Sequence, residues 1–161
     1  TVCEAAGMPA YEVSNHAVPG QESAHNMLYW RGGLYAGVGP GAHGRIEAED
    51  GQLYATVAHR APEAWLERVE RDGHGHHPFN PLTQLERAQE ILMTGLRMRE
   101  GVCFDRLTAI LGDSIETLID MTRVDQLAEA GFVELDKGAN RLMPTQAGMR
   151  CLNSGLGYIM R

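Results

Sequence analysis

Residues 83–101, TQLERAQEILMTGLRMREG, and the run at 102–153, VCFDRLTAILGDSIETLIDMTRVDQLAEAGFVELDKGANRLMPTQAGMRCLN, decide the fold class. In the first stretch Leu85, Ala88, Ile91, Leu92 and Leu96 recur at steps of three and four. That spacing predicts an amphipathic helix, stopped by Gly101. Residues 104–111 predict a shorter helix closed by Gly112. Asp113 and Ser114 precede a third helix carrying Ile115, Leu118, Ile119 and Leu127, with Gly131 in its C-terminal place. Residues 132–135 alternate as a strand, 137–140 turn, and 141–143 return. Thr145 then caps a last helix through Met160. Three helices, a hairpin and a helix follow the order of a winged-helix-like module. Its expected core is Leu85, Ile91, Leu92, Leu96, Leu107, Leu111, Leu118, Leu127, Phe132 and Leu142.

Upstream the character differs. Residues 1–46 are rich in Gly, Tyr and His, with short strand candidates at 11–13 and 34–38. Residues 45–58 read as a hairpin turning at Asp50-Gly51. Pro62 opens a helix carrying Ala64, Trp65 and Val69, which Asp72-Gly73 ends. The change of pattern places a boundary within 60–82, giving segments 1–60 and 61–161. The fold class is α+β.

Composition narrows the function. The 161 residues are 43% hydrophobic with a net charge of −7, and both signs are mixed along the chain. The third predicted helix sets Glu116, Asp120, Asp125 and Glu129 against Arg123 alone, a face that phosphates would repel, so a nucleic-acid partner is not expected. No run of 18 apolar residues predicts a membrane span. Cys3, Cys103 and Cys151 are odd in number and far apart, which fits a reducing cytoplasm rather than a disulfide framework. They offer no CxxxCxxC cage. The opening TVCEAAGMPAYEV lacks a signal-peptide pattern and starts within an apparent element, so a fragment of a longer protein is expected.

Three clusters could carry chemistry. ESAHNMLYWRGG at 22–33 gathers His25, Asn26, Tyr29, Trp30 and Arg31. An imidazole can ligate haem iron, aromatic rings offer a flat apolar surface, and an arginine can pair with propionates. The same residues also suit a capped loop anchored by Trp30. GVGPGAHG at 37–44 matches GxGxxG at 39–44, but a hairpin follows where a dinucleotide site needs a helix, and Pro40 removes one backbone donor. A structural turn and a ligand turn both remain open there. His74, His76 and His77 lie in a Gly- and Pro-rich loop without a nearby cysteine, so no native metal is expected.

The stretch YEVSNHAVPGQESAHNMLYWRGGLYAGVGPGAHGRI, residues 11–46, resembles the haem-chaperone (HemW) family of radical S-adenosylmethionine proteins, relatives of oxygen-independent coproporphyrinogen III oxidase. ERAQEILMTGLRMREGV and the ending around RLMPTQAGMRCLN are similar to that family's C-terminal domain. His16 departs from the family's usual Phe. The resemblance implies closing strands of a partial (β/α) radical-SAM barrel in 1–60, followed by a winged-helix-like helical domain in 61–161. It implies haem binding through His25 with Asn26, Tyr29, Trp30 and Arg31, and delivery of haem to an acceptor protein. It implies S-adenosylmethionine beside Gly39, Gly41, Ala42 and His43. The family's 4Fe–4S cluster is held by a CxxxCxxC that this sequence does not contain, so the chain by itself is not expected to turn over substrate. The alternative is oxidative decarboxylation of coproporphyrinogen III. The HNMLYW block favours the chaperone.

Overall fold

The computed structural model describes residues 2–161. Helices α1 (Val2–Ala5) and α2 (Ala24–Trp30) come first, followed by strands β1 (His43–Glu47) and β2 (Leu53–Val57), helix α3 (Pro62–Asp72) and the short β3 (Asn80–Pro81). Then come α4 (Gln84–Gly95), β4 (Val102–Cys103), α5 (Phe104–Leu111), a 3₁₀ turn at Ile115–Thr117, and α6 (Met121–Glu129). Strands β5 (Val133–Asp136) and β6 (Arg141–Pro144) and helices α7 (Gln146–Arg150) and α8 (Leu152–Ile159) complete the order. The architecture mixes several helices with two small antiparallel sheets, ordered β1-β2-β3 and β4-β6-β5.

These elements form two compact units, residues 1–32 with 84–161, and residues 33–83. In the first unit the amphipathic stripe of α4 decides the core. Ala88, Ile91, Leu92 and Leu96 are buried with Leu107, Leu111, Leu118, Ile119, Val124 and Leu142. Leu85 is 44% exposed, against expectation. It lies in the first turn of α4, before the stripe meets the core. Leu127 and Phe132 are half-buried because they line an open cleft.

Two predicted helices are broken by local capping. Ser114 Oγ accepts from Glu116 N–H and starts only the 3₁₀ turn. Asp120 Oδ1 then accepts from Arg123 N–H at 3.2 Å and starts α6 afresh. The last helix is divided at Cys151, whose N–H bonds to Gly148 O in a tightened turn. Thr145 caps α7, as read from the sequence. The 133–136/141–144 hairpin forms with Leu135 opposite Leu142.

The expected strands at 11–13 and 34–38 are reduced to single bridges, Ala10↔His16, Glu12↔Met98 and Tyr35↔Arg45. Around Glu12 the reason is local. Its carboxylate accepts from Ser14 N–H, Ser14 Oγ–H and Asn15 Nδ2–H, which bends the chain out of an extended path. In the second unit β1 and β2 pair from His43↔Val57 to Glu47↔Leu53. Their connection is wider than a two-residue turn: Ala48 N–H bonds to Gln52 O, with Asp50-Gly51 at its tip. Pro62 opens α3, and Gly73 closes it in the left-handed conformation.

Candidate functional site

The HNMLYW block is a helix rather than a loop. Ser23 Oγ accepts from Asn26 N–H at 3.3 Å, and Gly32 N–H returns to Tyr29 O, so α2 is capped at both ends. Helical spacing brings the His25 and Tyr29 rings into edge contact, with centroids 4.7 Å apart. His25 is exposed. Asn26 Nδ2 donates to Tyr11 Oη at 3.3 Å and ties the helix to the 11–15 turn. Trp30 is half-buried, and its Nε1 is buried without a hydrogen-bond partner.

Two arginines meet this helix, and the sequence singled out only one. Arg31 donates from Nε and Nη2 to the two carboxylate oxygens of Glu100, each at 2.8 Å. The pair holds the Glu100 carboxyl below the usual carboxylate range and the Arg31 guanidinium above its own. With that edge of the fork committed, Arg31 is a poor candidate for a propionate. The other arginine is Arg97, whose guanidinium carbon lies 4.5 Å from the centroid of the Trp30 ring. Behind it sits Glu12, fully buried, with Oε2 3.7 Å from Arg97 Nη2. Burial pushes the Glu12 carboxyl up, but the bonds from Ser14 and Asn15 and the Arg97 charge outweigh that and leave it lowered. Spacing could not reveal this group, because Glu12 and Arg97 are brought together only by tertiary packing.

The glycine turn belongs to the second unit. Gly39 and Gly41 have φ values of 103° and 71°, which side-chain-bearing residues avoid. Gly41 N–H donates to His59 O at 2.8 Å and Ala42 N–H to Gly39 O at 3.2 Å. These two amides are therefore spent inside the protein, and Pro40 has none. The turn permits close approach of a ligand but does not present a nest of free donors. His43, at the head of β1, is exposed. Nearby, His77 stacks on His59 with centroids 3.7 Å apart. Burial, followed by the charges of Arg68 and His77, lowers the His59 pKa. Among the described residues no three His, Cys, Asp or Glu side chains are placed to hold a metal ion.

The HNMLYW helix and the glycine turn thus lie in separate units. Residues 82–151 match the HemN C-terminal domain. Over 98% of its length the chain is 34% identical to radical S-adenosyl methionine domain-containing protein 1, mitochondrial, of Bos taurus, covering 35% of that protein. It is 32% identical to the heme chaperone HemW of Bacillus subtilis over 84% of the chain and 34% of the relative. The chain is thus homologous to proteins named HemW, and its residues 82–151 carry the HemN C-terminal domain match. The family relatives also include HemW of Mycobacterium tuberculosis, 60% identical over 42 residues, which are 26% of this chain and 11% of that protein. Among solved structures, coproporphyrinogen III oxidase (HemN) from Escherichia coli, a radical SAM enzyme, superposes with a TM-score of 0.58. That match covers 97% of this chain and 32% of the enzyme at 13% identity, so the likeness is one of fold. The chain spans about a third of the length of the first two relatives named.

Proposed function

We propose that the protein binds haem and delivers it to acceptor proteins in the cytoplasm. The observation that carries this reading is α2, which holds His25 exposed with Tyr29 against its edge and Trp30 one residue beyond. An exposed imidazole on a capped helix can reach a metal without unfolding its support, and a flat apolar ring beside it suits a porphyrin. Relatives named heme chaperone agree with the reading.

S-adenosylmethionine fits the turn of Gly39, Gly41, Ala42 and His43 only through close van der Waals approach, since the Gly41 and Ala42 amides are already used. A 4Fe–4S cluster does not fit this chain's own cysteines. Cys3, Cys103 and Cys151 are free, and among the described residues no cluster of metal-ligating side chains forms. The cluster and S-adenosylmethionine are therefore assigned to the full-length protein. Within the first unit, the order α4-β4-α5-α6-β5-β6 with its three-stranded sheet supports a winged-helix-like reading, and residues 1–60 are read as the edge of a partial barrel. The alternative activity, oxidative decarboxylation of coproporphyrinogen III, draws on a fold likeness at 13% identity.

The test is titration of the intact protein with haem at constant ionic strength, wild type against His25→Ala. Loss of the imidazole is expected to shift the Soret band and weaken binding. Identical spectra and affinities in the two proteins would make His25 a structural residue and refute the assignment.

A further inference from the structure

Three residues in this first unit leave buried polar atoms without hydrogen-bond partners: Glu12 Oε2, Arg97 Nε and Trp30 Nε1. All three belong to one stack, in which Glu12 backs Arg97 and Arg97 covers Trp30. A buried carboxylate normally spends both oxygens. Here one oxygen is saturated by Ser14 and Asn15, and the other faces only the guanidinium at 3.7 Å. Such an arrangement fixes the direction of an arginine while leaving its donors for something else.

Arg97 is 31% exposed along its side chain and borders a cleft of about 290 Å³. Its other walls include Val13, Met149, Arg150, Asn153 and Ser154. Two guanidinium groups line this space and no carboxylate does, in a chain whose net charge is −7. Local positive charge against an acidic background selects an anion. Through Cys151, Leu152 and Ser154 the cleft adjoins a second one of about 530 Å³, walled by apolar groups such as Leu96, Leu127, Phe132 and Leu156. A small inorganic anion would use the arginines and leave the apolar walls wet. A purely apolar ligand would leave the arginines unmatched. The combination suits a molecule with a broad apolar body and a carboxylate edge.

We propose that Arg97 and Arg150 hold the propionate edge of haem, with Glu12 as the residue that positions Arg97. This rests on the haem reading above and assigns the carboxylate contacts within it. Arg31 is unsuited to that role because Glu100 already takes its Nε and Nη2. Arg97, in contrast, has a buried carboxylate behind it and a ring beneath it, so little ordering remains to be done when a carboxylate arrives.

The experiment compares haem with haem dimethyl ester, which keeps the macrocycle and iron but removes both negative charges. Each is titrated against the intact protein in wild type, Arg97→Met, Arg150→Met and Glu12→Gln, with far-UV circular dichroism as the check on folding. Wild type is expected to prefer haem by roughly tenfold or more, the worth of a charge-assisted pair. In Arg97→Met the preference should collapse towards parity while ester affinity holds. Arg150→Met should reduce it in part, and Glu12→Gln should reduce it by releasing Arg97. If Arg97→Met fails to fold, Arg150→Met at its exposed position carries the test. Preference retained in every folded variant overturns the assignment of the arginines while leaving haem binding intact. Absence of haem binding in wild type overturns the haem reading itself, and this proposal with it.

Discussion

Replacing Gly32 by Ala tests how α2 is seated against α4. Gly32 has φ +62°, and a Cβ built on it would lie 2.7 Å from Ile91 Cγ1 and 3.4 Å from Ile91 Cδ1. Ile91 is only 2% exposed, so its side chain cannot swing into solvent. Gly32 O also accepts from Arg87 Nη2, which limits retreat of the backbone. Two costs add. The left-handed conformation costs about 1–2 kcal/mol for a residue with a Cβ. Forcing a methyl into a packed site costs about 1–3 kcal/mol more. The expected loss is therefore about 2–5 kcal/mol, read from urea unfolding as a lower midpoint at unchanged slope. The two costs separate in a double-mutant cycle with Ile91→Ala, which deletes both contacting atoms. In that background Gly32→Ala should cost only the backbone part, so the cycle should show about 1–3 kcal/mol of coupling. Losses that simply add within about 0.5 kcal/mol would refute the packing account of α2.

Leu92→Ala, at a fully buried position, should cost about 2–5 kcal/mol in the same assay, whereas Leu85→Ala at 44% exposure should cost under about 0.5 kcal/mol. Equal losses at the two sites would mean that the buried face of α4 is misassigned. The Glu12 carboxyl is held below its unfolded value of about 4.3, so its stabilisation is complete above that pH and lost as pH falls through the lowered native value. Acid unfolding of Glu12→Gln should lack that component, keeping the acid loss from Glu100, lowered by Arg31, and from Asp72, lowered by Arg71. A wild-type and a variant profile of the same steepness below about pH 4.3 would remove Glu12 from the account.

Much of this was legible because periodicity and punctuation agreed. Phe104–Leu111 with Gly112, Pro62 opening α3, and the 133–136/141–144 hairpin all have breakers or caps where the apolar pattern ends. Breaks inside apolar runs were less visible. Asp120 sits within the run that predicted one helix over 115–130, yet its carboxylate restarts the helix at Met121. The strands expected at 11–13 and 34–38 gave way to isolated bridges, since alternation over three to five residues cannot report whether a partner strand is alongside. At the candidate site, His25 through Arg31 stood out by composition, and a short helix then explained why His25 and Tyr29 touch. The placement of Arg97 was hidden, because a guanidinium directly after the last apolar residue of a helical stripe, Leu96, looks like any other solvated charge.

The first unit is discontinuous, with residues 33–83 set between its two parts. That gives its assembly a chain-closure character. Contacts such as Gly32 with Arg87 and Arg31 with Glu100 join residues 55 and 69 positions apart, so α2 finds α4 only after a long loop is closed. Ideal closure of a loop of that size costs about 3–4 kcal/mol of entropy, and doubling the loop adds only about 0.6 kcal/mol. The hairpin of the inserted unit pairs over a few residues and needs no such search, so it can collapse early and shorten the span that the flanks must cross. Length changes within 33–83 should then be nearly free for the α2–α4 seat, whereas a cut inside the insert, by removing the tether, would turn that seat into a bimolecular encounter.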